Sequence, residues 1–221
     1  MFAAAAEPEA ANPVKSGVAF TTDRIWRGLS DTRGRAGVIG EVKWQTPNGP
    51  LAGLWVASAG DERYDTSVHI LPFAGYTITR NGLNVELAYL RHVRPVPEPV
   101  DLDFGEFNAS VGAKLGRASA RLGLYYSPDF YLGGSSRYEY LSGSVSLIQF
   151  AGMDVGVSGQ IGASQFSVGS LRSYMDWKLG LRASRGRWYG SAAFSKARPA
   201  PALVGGGDAG TRFSATLGCS F

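Results

Sequence analysis

The sequence predicts an all-β protein: a single antiparallel transmembrane β-barrel of about twelve strands, with short turns at one rim and longer loops at the other. Three observations predict it. Segments in which apolar and polar residues alternate recur along most of the 221 residues, and alternation at period two gives a strand one greasy side and one wet side. The connections between these segments are short and long in turn. Charged residues make up only 18 % of the chain, against roughly 25 % in an ordinary soluble protein, yet no apolar run approaches the roughly 18 residues of a membrane helix.

Composition excludes other classes. Aromatic residues reach 12 %, which separates the chain from disordered sequences, rich in charge and poor in aromatics. The net charge is +4 and the isoelectric point about 9.3, but Lys and Arg stand singly rather than as a patch, so no nucleic-acid partner is expected. One cysteine, Cys219, leaves no internal disulfide and no cysteine-based metal site; it reads as a small apolar wall residue. Residues 1–13 lack the charged start and the full apolar core of a signal peptide. They are read as an N-terminal tail, periplasmic or a signal-peptide remnant, ahead of a barrel spanning 14–221.

Strands are expected at 15–29, 36–46, 51–59, 67–79, 83–92, 105–115, 118–127, 138–149, 153–162, 173–184, 188–198 and 211–221. Most are near the roughly 9–11 residues that a tilted strand needs to cross a bilayer. Tight turns fall at Pro47-Asn48-Gly49, Arg80-Asn81-Gly82, Gly116-Arg117, Ala151-Gly152 and Arg185-Gly186-Arg187, where Asn and Gly supply the positive φ of a short hairpin. Longer polar or Pro/Gly-rich loops are expected at 61–66, 93–104, 128–137, 163–172 and 199–210. With both termini on the short-turn rim, every long loop falls on the opposite, extracellular rim. This sorting is the outer-membrane arrangement.

The faces agree with this reading. Phe107, Ala109, Val111, Ala113 and Leu115 oppose Asn108, Ser110, Gly112 and Lys114; Met153, Val155, Val157 and Ile161 oppose Asp154, Gly156, Ser158 and Gln160. Met175, Trp177, Leu179 and Leu181 oppose Tyr174, Asp176, Lys178 and Arg182. In the final strand Phe213, Ala215, Leu217, Cys219 and Phe221 share the apolar face. The polar faces are mostly Gly, Ser and Asn, which suits a wet lumen better than a soluble surface. Aromatics gather near strand ends: Trp44, Phe150, Trp188 and Phe221 at one rim, Trp26, Tyr89, Tyr126, Tyr138 and Tyr140 at the other, as rings at headgroup depth would. Pro72 interrupts the strand 67–79; lacking an N–H in an edgeless sheet, it predicts a bulge.

By alternation the inward charges, the candidate pore-lining set, are Glu41, Lys43, Glu86, Lys114, Arg121, Asp154, Asp176, Lys178, Arg182 and Arg212. Six are basic and four acidic. In a water-filled bore such charges are tolerated and select ions; paired across the lumen they would plug it. Asp23 and Arg27, four apart on one face, are read as a tie between the first loop and the lumen wall. Catalysis has little to stand on: there are only two histidines, His69 and His92, read as lumen or rim polar residues, and no pair of residues has metal-ligand spacing. No catalytic residue, metal or cofactor is expected. The expectation is a channel for passive passage of small hydrophilic solutes or ions, with mild anion preference, set in outer-membrane lipid. The alternative is a closed structural barrel, or a membrane anchor that binds a protein partner in the envelope.

The stretch Gly17-Val18-Ala19-Phe20-Thr21-Thr22-Asp23-Arg24-Ile25-Trp26-Arg27-Gly28-Leu29-Ser30 resembles the opening signature of the TorF-type porin family. So do Ala52-Gly53-Leu54-Trp55-Val56-Ala57-Ser58, Phe73-Ala74-Gly75-Tyr76 and Leu124-Tyr125-Tyr126-Ser127-Pro128-Asp129-Phe130-Tyr131, in order along essentially the whole chain. The resemblance implies an outer-membrane β-barrel of Gram-negative bacteria and a porin role, without a named solute. Two positions depart from the pattern: Arg24, where an aromatic is usual, and Asp31, where Gln is expected.

Overall fold

The computed structural model describes residues 13–61, 66–97, 101–130, 133–167, 171–198 and 210–221. The tail read at 1–13 lies outside these residues except for Pro13, as does most of the long loop expected at 199–210. The described chain is built of fourteen strands: β1 (Val14–Thr21), β2 (Ile25–Trp26), β3 (Leu29–Ser30), β4 (Gly37–Gln45), β5 (Gly49–Asp61), β6 (Thr66–Arg80), β7 (Leu83–His92), β8 (Phe104–Leu115), β9 (Ala118–Phe130), β10 (Gly134–Phe150), β11 (Met153–Phe166), β12 (Tyr174–Arg185), β13 (Trp188–Arg198) and β14 (Arg212–Ser220). Twelve of them, β1 and β4 to β14, close into one antiparallel barrel, while β2 and β3 pair only with each other.

Closure is made by β1. Its Val18 stands opposite Cys219 of β14 on one side and Gly40 of β4 on the other. Beyond the last strand residue, Phe221 N–H donates to Ser16 O at 2.8 Å and Ser16 N–H to Phe221 O at 3.2 Å. The final residue thus completes the seam. A barrel has no edge, so every backbone donor and acceptor in the wall finds a partner without water.

Alternation then sorts the side chains. Leu179, Leu181 and Leu217 turn outward with 58–59 % of their surface exposed, as do Phe107, Leu122, Ile161 and Phe213. Between them Asn108, Asp176 and Ser214 are buried on the inner face. Apolar surface on this scale around a whole barrel belongs in lipid. At the turn rim Trp44, Phe150, Trp188 and Phe221 are exposed, as expected of a girdle, and so are Tyr89 and Tyr126 at the loop rim. The tight turns have the twist that hairpins require: Asn81 and Gly82, and Ala151 and Gly152, pair two positive φ values each.

Several expectations are corrected. The first strand stops at Thr21 rather than running to residue 29, and the β2–β3 hairpin turns into the lumen. Its strand-forming residues Ile25, Trp26 and Leu29 belong to a second, smaller sheet, so strand-like sequence continued while the chain left the wall. Residues 128–137 are largely strand: β9 runs to Phe130 and β10 starts at Gly134. Tyr138 and Tyr140 face the lumen and are buried, because the same strand turns Leu141 and Val145 outward; Trp26 is in the hairpin. Neither tyrosine nor Trp26 is part of the girdle. Pro72 makes no bulge. Its register with β5 is unbroken from Ile70 to Phe73, and β6 regains β7 in the same register at Val93. The missing N–H merely interrupts the β6–β7 ladder. Register shifts occur instead between Ser58 and Asp61, Gly134 and Ser136, and Ser146 and Ile148.

A charge on the lipid face should therefore be far costlier than one in the lumen. Leu179→Arg is expected to lower the unfolding free energy by about 2–4 kcal/mol, and Ser158→Arg, on the inner face, by less than about 1 kcal/mol. Reversible denaturant unfolding from phospholipid bilayers measures both.

Candidate functional site

The lumen has two halves. Toward the loops it is occupied by the first connection, residues 22–36, which carries the β2–β3 hairpin. Arg27 and Gly28 at its tip both have positive φ, 49° and 77°, the pairing of a two-residue turn. Gly28 rests against the far wall so closely that a Cβ there would overlap the Asp176 side chain of β12 and press on Ala197 of β13. Leu29 packs with Tyr174 and Ala197 in one apolar cluster, and Trp26 packs on a second, Phe104, Phe130 and Leu171. The hairpin thus spans the bore from its base at β1 and β4 to β12 and β13.

Charge holds it there. Arg27 Nη2 donates to both carboxylate oxygens of Glu106 at 2.7 Å, and its guanidinium lies 4.5–5.1 Å from the ring centres of Trp26, Tyr125 and Tyr138. Glu106 is fully buried. At the base, Asp31 is shared by Arg24 and by Arg94, whose Nη2 donates at 2.8 and 3.0 Å. Arg24 Nε also donates to Ser58 O at 2.9 Å. Asp23 accepts from Ser30 at 2.6 Å and Thr32 at 3.0 Å, and lies 3.6 Å from Arg212. Asp176 accepts from the Tyr138 hydroxyl at 3.3 Å. Arg24 and Arg94 thus share Asp31, Arg27 is held by Glu106 and Arg212 lies beside Asp23, while Asp176 is bonded to a neutral hydroxyl. Paired charge with dense hydrogen bonding is what makes such burial tolerable.

Between the two arginine groups runs a line of imidazoles. His69 Nδ1 faces Arg24 Nη2 at 3.4 Å, His69 Nε2 faces His92 Nδ1 at 3.0 Å, and His92 Nε2 faces Glu106 at 3.2 Å. Sequence spacing places these histidines 23 residues apart, and no local pattern joins them; only the pairing of β6 with β7 does. The line ends in an arginine and a carboxylate, with no hydroxyl or thiol bonded to either ring, so it lacks a nucleophile. Among the described residues no three His, Cys, Asp or Glu side chains form a metal-holding group.

Toward the turns the lumen is lined by hydrophilic side chains. All ten residues of the expected pore-lining set lie on inward-facing positions, but they divide. Asp176 and Arg212 belong to the hairpin's surroundings. Lys43 pairs with Glu86 at 3.4 Å, and Arg182 lies 3.8 Å from Asp154, which also accepts from Ser146 and Gln149. Arg121 donates to two neutral groups, Ser110 Oγ at 2.7 Å and Asn84 Oδ1 at 2.9 Å. Lys114 and Lys178 are exposed to the lumen and have no ion-pair partner among the described residues; Glu41 is half-buried and likewise unpaired. Nearer the loops, Tyr140 and Tyr138 pack against Gly123 and Gly162, where any Cβ would strike the rings. Small residues there let large rings fit without crossing the bore.

Asp23 and Arg27 do bind the first loop to the wall, though from a folded-in hairpin and not from one strand face. Arg24 and Asp31 are partners of one another.

A closed twelve-stranded barrel with an apolar exterior and a hydrophilic bore is a porin-like β-barrel of the bacterial outer membrane. The chain belongs to the Gcw_chp family, described as bacterial proteins of unknown function, whose profile matches residues 5–213. No curated protein matches it in sequence. Among solved structures it is similar to a KdgM porin, with a TM-score of 0.63 and 10 % identity over 94 % of this chain and 99 % of that one. A bacterial polysaccharide outer membrane secretin matches with a TM-score of 0.49, 11 % identity and coverage of 96 % and 99 %. LpxR from Salmonella typhimurium matches with 0.48, 8 % identity and coverage of 94 % and 99 %.

Removing one partner of a buried pair leaves the other uncompensated. Glu106→Ala is expected to destabilise the seated hairpin by about 3–5 kcal/mol. Gly28→Ala, strained in φ and overlapping Asp176, should unseat the tip as well. Thiol labelling of Leu29→Cys in a Cys219→Ser background reads the release: slow in the parent, and faster by about a hundredfold or more in both variants.

Proposed function

We propose that this chain is a TorF-type porin: a narrow passage for small hydrophilic solutes and ions, with mild preference for anions and no chemistry of its own. The observation that carries this reading is the turn-side lumen. Among the described residues Lys114, Arg121 and Lys178 have no carboxylate bound to them, and the inward-facing Glu41 has no ion-pair partner. A hydrophilic bore with surplus positive charge concentrates anions and lets them exchange without a deep binding step. Small Ser and Gly side chains on the same wall leave room for a hydrated solute. The histidine line supports no reaction, since it ends without a group to attack a substrate.

A closed structural barrel or membrane anchor is the second reading. The observation in its favour is the hairpin, which fills the loop-side half with buried, ion-paired contacts. In that role the tail 1–13 or the long loops would bind a protein partner in the envelope.

Planar-bilayer recording separates the two. Discrete conductance steps are expected, and in a salt gradient the reversal potential should indicate anion preference. Reversing Lys114, Arg121 and Lys178 to Glu should move it to cation preference. Folded protein that stays silent, with and without the hairpin released by Glu106→Ala, would remove the channel reading in favour of the anchor.

A further inference from the structure

The hydrogen bonds of the histidine line have only one consistent set of directions. Glu106, held by Arg27 through both oxygens, is ionised and can only accept, so His92 Nε2 carries a hydrogen. Arg24 can only donate, so His69 Nδ1 carries none. The central bond then runs from His69 Nε2–H to His92 Nδ1, at 3.0 Å. Each ring holds one proton and both are neutral. We infer that this line is an acid-sensitive latch: the hairpin plugs the lumen while His69 and His92 are neutral, and protonation of either ring releases it and opens the passage.

The chemistry at each ring supports this. A second proton on His69 must go to Nδ1, where it meets the Arg24 N–H at 3.4 Å, donor against donor and charge against charge. Asp31, 4.0 Å from that nitrogen, is the nearest acceptor, but it already serves Arg24 and Arg94. A charged His69 would compete for it and loosen the base of the hairpin. A second proton on His92 must go to Nδ1 and would confront the His69 N–H, with Arg27 and Arg94 the neighbouring cations. Its stacked partner Phe104, at 4.1 Å, and the edges of Trp26 and Trp55 around the pair offer no anion. Among the described residues Glu106 is the only carboxylate bonded to His92, and Arg27 depends on it.

With both rings neutral, Arg24 and Arg94 already share Asp31 and Arg27 already holds Glu106, so a proton added to either ring is a charge that these carboxylates can take up only by loosening an arginine. The open lumen is wet and solvates that charge, so acid favours the open state. The sign follows: plugging is fully present above the ordinary histidine range and is lost as the pH falls through it. The latch also gives a role to Arg24 and Asp31, which tie the hairpin to His69.

This inference rests on the channel reading, and the test keeps the two apart by using two readouts. Conductance and thiol labelling of Leu29→Cys in the Cys219→Ser background, scaled to labelling of the unfolded chain at the same pH, are compared at about pH 7.5 and about pH 5. Acid is expected to raise both by about tenfold or more. In His69→Gln/His92→Gln, which cannot take up the protons, both readouts should become insensitive to pH. No acid response in the parent overturns the latch, and so does an acid response that survives in the double variant. Acid labelling without conductance leaves the latch standing and removes the channel reading.

Discussion

Lipid offers no hydrogen bonds, and the rest of the structure depends on that constraint. Each strand in the wall must be paired on both sides, so β1 must find β14, and the chain is drawn into a ring ending on the Ser16–Phe221 pair. Once the ring is closed, side-chain parity is no longer a local matter. A strand that turns Leu179 to lipid has to turn Lys178 and Gly180 to the bore. Twelve strands enclose a space too wide for single side chains to fill everywhere. The interior must therefore be wet, or be filled by an inserted piece of chain. Here the first connection fills the loop-side half, and hydrophilic side chains line the turn-side half.

The inserted piece explains why charged residues can be buried so deep. An isolated guanidinium at the centre of the hairpin would be prohibitively costly. Arg27 avoids that by meeting an ionised carboxylate edge-on and three aromatic faces, whose negative quadrupoles add attraction where no further anion fits. The arrangement is specific rather than greatly stabilising, since much of the attraction is offset by lost hydration. Such a balance makes a seated element that local charge can unseat. A plug held only by apolar packing would not respond to a proton.

The wall was legible in the sequence and the plug was not. Alternation in Phe107–Leu115 or Met175–Leu181 registers directly which side meets lipid, and Asn81-Gly82 or Ala151-Gly152 mark turns by the φ that they need. The ten inward charges follow from the same parity. Parity is blind, though, to whether a strand is still in the wall. Ile25, Trp26 and Leu29 are as strand-forming as the residues before them, and only the Arg27-Gly28 pair hinted at a turn. The pairings that build the interior, Arg24 with Asp31 and His69 with His92, join positions that no local pattern links. Which of the six basic lumen residues lack a partner was equally hidden, because Arg182 and Lys178 look alike until Asp154 is placed.

The account stands or falls on the first loop lying inside the barrel, across the bore and against its far wall. Chemical bridging of Leu29→Cys to Ala197→Cys, in a Cys219→Ser background and in intact outer membranes, tests this most directly. These residues belong to one buried cluster, so a short bifunctional thiol reagent should join them within each molecule and in high yield. Free thiols at both positions, open to a membrane-impermeant reagent at neutral pH, would show the loop outside the lumen and contradict the account.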